Sequence, residues 1–388
     1  MDLELPEEHR LLAELVEKFV QNELIPLESV VLEREASGEP PGLTREEQEP
    51  LLAKCRELGL WGLDVPEAFG GADIGAVAKT VVSEALAKTV VPFTFPPDSP
   101  NLHMLIATVN DEQREKYLES YARGETVSAI AISEPGAGSD PASMKTRAVC
   151  EGDEWVLNGQ KIWISRAAEA DFTIAMAVTD PGKGARGGIS AFLVDRDTPG
   201  MEVGPPEAIL GGARTHEVVF RNCRVPAGNL LGELGNGFAP MQLRLTVRRL
   251  EMGAWSVGIA ERALDMMMRH ASERVTFGQK LAERQSVQWW IADAATDIHA
   301  ARLMVRDAAW KVERGRDVRR EASMVKVFAT EMAQRVTDQA IQTFGAMGLT
   351  KKMPLQALYE KARMMRIVEG ASEIHRWVVA RSLLRDLG

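Results

Sequence analysis

Five segments of this chain carry residue types at spacings suited to chemistry. The most informative is Ala131-Ile132-Ser133-Glu134-Pro135-Gly136-Ala137-Gly138-Ser139-Asp140. Its small residues let a flat ligand approach the backbone, and its N–H groups and hydroxyls suit carbonyl or phosphate oxygens. By spacing alone it also reads as a plain connecting turn. In Lys161-Ile162-Trp163-Ile164-Ser165 a Trp and a Ser stand two apart, so on a strand they share a face. They suit covering a flat ring and bonding its edge; a core Trp of a small barrel is the plain alternative. Arg274-Val275-Thr276-Phe277-Gly278, with Gln285 soon after, offers a guanidinium whose fork matches a diphosphate. Gln342-Thr343-Phe344-Gly345-Ala346-Met347-Gly348 is a helix end, and a C-cap accounts for its glycines without any ligand. Val368-Glu369-Gly370-Ala371-Ser372-Glu373-Ile374-His375-Arg376 offers a carboxylate at Glu369, whose default reading is a solvated surface residue. Taken singly, none of the five decides a function.

The elements that must position these residues change period twice. Residues 1–124 read as helical. Leu11, Leu12, Leu15, Val16, Phe19 and Val20 recur at helix spacing, and Thr44 with Glu47 forms a capping box before Leu51, Leu52 and Leu58. Pro66-Glu67-Ala68-Phe69-Gly70-Gly71 is a turn, and helical stretches over 74–90 and 100–123 flank the prolines Pro92, Pro96, Pro97 and Pro100. Residues 125–236 switch to short apolar runs: Val127–Ile132, Trp155–Leu157, Ile162–Ile164, Phe172–Val178, Ile189–Val194 and Val218–Phe220. Asn158-Gly159 between two of them predicts a hairpin, and the set predicts a small β-barrel or sandwich. Residues 237–388 are helical again. Val287, Trp290, Ile291, Ala294, Ile298, Ala301 and Met304 form one face, and Val325, Phe328, Met332, Val336 and Ala340 another, as in a four-helix bundle.

The bulk numbers narrow the function classes. A chain of 388 residues, 45% apolar and 26% charged, is long enough for two or three packed units. A net charge of −10 argues against non-specific binding to nucleic acid or an anionic membrane. The acidic start lacks the character of a secretory signal, and no apolar run is long enough to span a bilayer. Cys55, Cys150 and Cys223 are unpaired in spacing and read as buried thiols, and the six His show no metal-like spacing. A cytoplasmic location is the simplest expectation.

Together and in this order, the five segments resemble the acyl-CoA dehydrogenase family over essentially the whole chain. Ser133-Glu134-Pro135-Gly136-Ala137-Gly138-Ser139-Asp140 is the most specific anchor, and Glu369-Gly370 followed by Ile374 and Arg376 is the second. The resemblance implies a multidomain α+β fold: an N-terminal helical domain, a middle β-domain and a C-terminal four-helix bundle. It implies a homotetramer (a dimer of dimers) in which FAD lies between β-domain and bundle, with an adjacent subunit contributing to the site. Ile130, Ile132, Ser133, Gly138, Ser139, Trp163, Ile164 and Ser165 then meet the isoalloxazine. Arg274, Thr276, Phe277, Gln285, Gln342, Phe344, Gly345 and Ala346 meet the diphosphate–adenine half, and Ala371, Ser372 and Glu373 complete the cofactor set. Ser139, Arg249 and Gly370 are implied on the substrate side.

By the same resemblance Glu369 takes the proton beside the thioester carbonyl while a hydride passes to flavin N5, giving a trans-2-enoyl-CoA. That carbon acid is weak, so the step needs a base in a dry site and a cradle for enolate-like charge. An electron-transfer flavoprotein is the implied acceptor. One branch of the family places its base just before the residue matching Arg249; here that position is Arg248, a cation, which strengthens Glu369. The chain departs from the family pattern at Gly345-Ala346-Met347-Gly348, at Glu360-Lys361 and at Glu373, and its prolines from Pro92 to Pro100 fall where the acyl pocket is shaped. The acyl group need not be a straight-chain one. Arg244, Arg248 and Arg249 suit either CoA phosphates or a solvated helix face, and Trp289-Trp290 suit the bundle core or a subunit contact. The rivals are an acyl-CoA oxidase or flavin monooxygenase on the same fold, and a non-catalytic scaffold that binds acyl-CoA or a flavoprotein.

Overall fold

The computed structural model describes residues 4–40 and 42–386. The chain opens with helices α1 (Glu7–Phe19), α2 (Glu28–Ala36), α3 (Arg45–Glu57) and α4 (Gly75–Leu86). The apolar stripe of α1 turns Val16 and Phe19 inward, where the Phe19 ring lies 5.6 Å from Phe93 and 5.3 Å from Phe95. The capping box of α3 is formed in both directions, Glu47 N–H to Thr44 Oγ1 at 3.3 Å and Thr44 N–H to Glu47 Oε2 at 2.8 Å. The stretch expected as one helix over 100–123 is broken instead into α5 (Leu102–Ile106), α6 (Asp111–Gln113) and, after a π-helical turn, α7 (Glu119–Ala122). Asn110 restarts the chain after α5, because its side chain caps Gln113 N–H at 2.9 Å.

The middle of the chain forms an eight-stranded sheet. Its strands are β1 (Ser128–Ala131), β2 (Arg147–Glu151), β3 (Glu154–Ser165), β4 (Phe172–Val178), β5 (Ile189–Asp195), β6 (Met201–Ala208), β7 (Arg214–Pro226) and β8 (Leu230–Leu231). The order is β6-β7-β3-β2-β4-β5-β8, with β1 lying parallel to β4. The hairpin expected at Asn158-Gly159 does not exist. That dipeptide lies within β3, which pairs with β7 on both sides of it, and the register merely shifts between Leu157 and Gly159. A partner strand that runs the full length of β3 outcompetes the local turn signal, and the extra residue of the bulge lies on β7, where Arg221 and Asn222 stand opposite Asn158.

Five further helices close the chain: α8 (Phe238–Glu273), α9 (Gln285–Glu313), α10 (Arg319–Phe344), α11 (Pro354–Met365) and α12 (Ser372–Arg385). A small ribbon, β9 (Val275–Thr276) with β10 (Gln279–Lys280), joins α8 to α9. The expected faces are the buried ones: Val287, Ala294, Ile298 and Ala301 on α9, and Val325, Met332, Val336 and Ala340 on α10. Gly258 lets α8 lie against α4, since a Cβ there would collide with the Glu84 carbonyl. One expectation is corrected by burial: Cys150 is exposed on β2. Trp290 packs on the bundle core and Trp289 faces outward. Among the described residues no helix is long and apolar enough to cross a membrane.

Candidate active site

Glu369 sits in the short loop between α11 and α12 and has a left-handed backbone, φ +55°, followed by Gly370 at φ +101°. A non-glycine residue there is strained, so the surroundings must hold it. Arg249 Nε donates to the Glu369 carbonyl at 3.2 Å, His375 Nε2 lies 3.2 Å from the same oxygen, and Lys326 Nζ donates to the Gly370 carbonyl at 2.5 Å. Only glycine fits at 370, because a Cβ would run into the His375 ring. These clamps leave the Glu369 N–H without an acceptor among the described residues, an open donor beside the carboxylate.

The clamp fixes a histidine tautomer. A carbonyl oxygen only accepts, so His375 Nε2 carries the proton, while Nδ1 lies 3.1 Å from the Ser323 oxygen, whose one proton is directed to the Arg319 carbonyl at 2.9 Å. Burial, with Arg249 and Lys326 nearby, pushes the His375 pKa down to about 3. Burial, with Arg249 adding to it, pushes Lys326 down to about 7. His375 stays neutral in the fold while the unfolded chain protonates near pH 6.5, so its stabilising contribution is complete above 6.5 and drains away as pH falls toward 3. Between pH 7 and 4.5 the wild type should therefore lose about 2 to 3 kcal/mol more unfolding free energy than His375→Gln, read from denaturant midpoints. Equal losses in the two proteins would sink this account.

The Glu369 carboxylate meets a guanidinium. Arg244 Nη1 lies 3.1 and 3.0 Å from its two oxygens, in a pair whose side chains are only 10% and 17% exposed. Arg244 Nε donates to Asn101 Oδ1 at 2.8 Å, Asn101 Nδ2 donates to Ser128 Oγ at 2.8 Å, and Asn101 N–H donates to the Tyr121 hydroxyl at 3.1 Å. The carboxylate of the α11–α12 loop is thus tied through α8 to the N-terminal helices and to β1. One turn after Arg244, Arg248 pairs with Glu251 at 2.5 Å, and Lys79 joins Glu251 at 2.7 Å and also pairs with Asp64. Burial opposes the Glu251 charge, but Arg248 and Lys79 outweigh it and hold the pKa at about 2. The solvated helix face weighed for these arginines is therefore excluded at Arg244 and Arg248, which point inward.

Arg248 and Glu251 also line a cavity of about 350 Å³, walled by Pro92 to Pro100, Trp255, Ile259, Lys361, Met364 and Met365. Neither Arg244 nor Glu369 is among its lining residues. Lys361 enters it with its Nζ bonded to the Val90 carbonyl at 2.9 Å, and burial pushes its pKa down to about 8.

The Gly-rich segment leaves β1 and is fixed by a buried pair. Lys161 Nζ, fully buried, lies 2.8 Å from Glu134 Oε1 and donates to the Ile132 carbonyl at 3.0 Å. Glu134 also accepts from the N–H groups of Lys145 and Thr146, at 2.6 and 3.0 Å. Ile162 N–H donates to the Ser133 carbonyl at 3.0 Å, so the loop and the Trp163 strand meet. Trp163 is 58% exposed at φ +61°, just where the β3–β7 register shifts between Lys161 and Ile164. Ser139, Gly138 and Ser165 are exposed, Ser133, Ile130 and Ile132 are half-buried, and the Ile164 side chain is sunk in the β-domain core.

The remaining candidates gather elsewhere. Phe344 stacks on His270 near the end of α8, ring centroids 4.1 Å apart, which brings Gln342, Gly345 and Ala346 toward the Arg274–Gln285 connection. Phe277 is 99% exposed with φ +50°, Thr276 is half-buried, and Arg274, Gln285 and Gln342 are exposed. Ala371 caps α12, Glu373 is exposed and Ser372 is buried. From Arg249 to the end of α8 at Glu273 is roughly 36 Å along the helix. Sequence reasoning missed Asn101, Lys161 with Glu134, Lys326 and His375 as parts of the site. No spacing rule links such partners, and only the Arg-rich run at 244–249 carried a signal.

Comparison with known proteins settles the class. Models of the acyl-CoA dehydrogenase N-terminal, middle and C-terminal domains match residues 6–125, 129–223 and 235–384. The chain belongs to the acyl-CoA dehydrogenase family and is an FAD-dependent oxidoreductase that dehydrogenates an acyl-CoA. It is 43% identical to (R)-benzylsuccinyl-CoA dehydrogenase of Thauera aromatica, over 100% of this chain and 98% of the relative. The solved acyl-CoA dehydrogenase of Geobacillus kaustophilus superposes with a TM-score of 0.87 at 31% identity, covering 99% of this chain and 100% of the other. Glutaryl-coenzyme A dehydrogenase in complex with glutaryl-CoA gives 0.88 at 30% identity, covering 99% and 97%. The residues present fit the cofactor: an exposed Trp163 that its own core does not claim, with the exposed Ser165 two residues on and the Gly-rich loop alongside, suits a flat ring system.

Proposed function

We propose that Glu369 is the base of this dehydrogenation and that Ser139, Arg249 and Gly370 lie on the substrate side. The observation that carries the reading is the clamped loop. Arg249, His375 and Lys326 all grip carbonyl oxygens, which turns the Glu369 side chain toward Arg244 and leaves its own N–H free to donate. A thioester oxygen on that N–H places the acidic carbon beside the carboxylate, and the surrounding cations stabilise the enolate-like charge. Bound FAD supplies the hydride acceptor. The cavity walled by Pro92 to Pro100 is the acyl pocket in this reading.

The reading extends to the assembly. Glu369 and the Arg274–Gln285 connection stand too far apart along α8 for both to touch one cofactor within one chain. A neighbouring copy brings the second group, including the fully exposed Phe277, to the first, which favours a homotetramer built from dimers. An electron-transfer flavoprotein as acceptor and a cytoplasmic location complete the proposal, the latter in keeping with the free thiols of Cys55, Cys150 and Cys223. The test is anaerobic mixing of the yellow holoenzyme with a panel of acyl-CoA thioesters. Bleaching of the flavin band by at least one member is expected. Failure of every member, where dithionite bleaches the same sample, would overturn the reading.

A further inference from the structure

The Arg244–Glu369 pair poses a problem for a working base. Arg244 is enclosed, its Nε spent on Asn101 and its Nη1 on both oxygens of Glu369. When Glu369 accepts a proton it becomes neutral, and the guanidinium loses its counter-charge while still shut away from water. Breaking a buried pair from one side is strongly unfavourable. Among the described residues no other carboxylate stands at ion-pair distance from Arg244. Arg249 and Lys326 beside the loop donate to backbone carbonyls and form no ion pair among the described residues. The Arg248 carboxylate partner, Glu251, is shared with Lys79, and Arg248 Nε has no hydrogen-bond partner although it is buried. Arg244 and Arg249 therefore outnumber the single carboxylate at Glu369, while Arg248, four residues on from Arg244, turns to Glu251 and the Trp255 ring.

We propose that the acyl group this enzyme oxidises carries a carboxylate of its own, which takes the place of Glu369 on the Arg244 guanidinium. The substrate class is the CoA monothioester of a dicarboxylic acid. The inference rests on Glu369 as base in the reading above and adds the chemistry of the acyl group. Substrate binding then does two things at once: it releases both Glu369 oxygens, and it keeps Arg244 paired after Glu369 is protonated. Asn101, itself held by Ser128 and Tyr121, fixes the guanidinium so that it presents the same face to either carboxylate. Arg248 adds attraction from the cavity side. Arg244 is in this scheme a specificity residue, and an acyl chain without a second carboxylate leaves it gripping the base.

The test compares matched CoA thioesters on the holoenzyme under anaerobic conditions: succinyl-, methylsuccinyl-, glutaryl- and adipoyl-CoA against butyryl-, 2-methylbutyryl-, valeryl- and hexanoyl-CoA. The best dicarboxylic member should bleach the flavin with a kcat/KM at least about a hundred-fold above its monocarboxylic match, because a site built to pair a charge rejects the analogue lacking it. In Arg244→Gln that ratio should fall to within about ten-fold, chiefly through loss on the dicarboxylic side, and Arg244→Lys should keep part of it. A monocarboxylic thioester that matches or beats every dicarboxylic one on the wild type overturns the inference while leaving the dehydrogenase reading intact. Equal losses on both substrate sets in Arg244→Gln overturn it too, since they assign Arg244 a purely structural role. Bleaching by no thioester at all is the separate failure of the proposed function. The wild-type comparison stands even where a variant fails to fold.

Discussion

Glu369→Gln is expected to abolish turnover while leaving a folded, yellow protein. The amide has nearly the same shape and its oxygen still accepts from Arg244, so the loop clamps at the 369 and 370 carbonyls persist. What disappears is basicity, because an amide oxygen accepts a hydrogen bond but does not take a proton from a weak carbon acid. A positioned general base contributes on the order of a hundred- to ten-thousand-fold. Glu251, the buried carboxylate seven residues along α8 from Arg244, is doubly paired with Arg248 and Lys79 and is held at about 2, far too weak a base. The rate of flavin bleaching should fall by at least about a thousand-fold with the flavin-to-protein ratio unchanged. A variant within ten-fold of wild type would remove Glu369 from the mechanism.

The second large effect concerns stability and cofactor retention together. Lys161 is fully buried beneath the Gly-rich loop, with Glu134 at 2.8 Å. Burial pushes the Lys161 pKa down to about 8, with Glu134 opposing, so it is still an ammonium at neutral pH. Burial likewise works against the Glu134 carboxylate, but Lys161, Thr146 and the Lys145 N–H outweigh it and hold its pKa below the usual range. Lys161→Met leaves that carboxylate enclosed with its cation gone, a change that typically costs about 3 to 5 kcal/mol. The expected result is a thermal midpoint several degrees lower and a flavin that washes out during gel filtration, because Ser133, Gly138 and Ser139 ride on this loop. Adding Glu134→Gln to the variant should recover most of the midpoint, since both charges are then absent. A single variant as stable as wild type would show that the pair contributes little.

Much of the architecture was legible because it depends on short-range rules. The α, β, α order follows from hydrophobic period, and the α9 and α10 faces read from spacing are the buried ones. The Thr44–Glu47 capping box needs only three residues of separation. The Gly-rich and Glu369-Gly370 segments were recognisable as motifs, since a tight turn and a close approach need small residues at fixed places. Where the reading failed, a distant partner had overruled a local signal. Asn158-Gly159 favours a turn in isolation, yet β7 pairs straight past it. Cys150 reads as a buried thiol, but it is exposed near the end of β2. The stretch over 100–123 carries helix-forming residues, yet Asn110 caps a new start and divides it.

The sequence by itself determined which segments are helix or strand, the family they compose and the chemical types available to the site. Only the tertiary structure decided that Glu369 faces Arg244 across 125 positions, that Lys161 neutralises Glu134, and that Lys326 and His375 hold the Glu369-Gly370 loop. Period and capping act over a few residues, where chain geometry alone fixes which atoms meet. An ion pair across α8 and the α11–α12 loop depends on how whole elements pack, and on the cost of enclosing a charge with no counter-charge beside it.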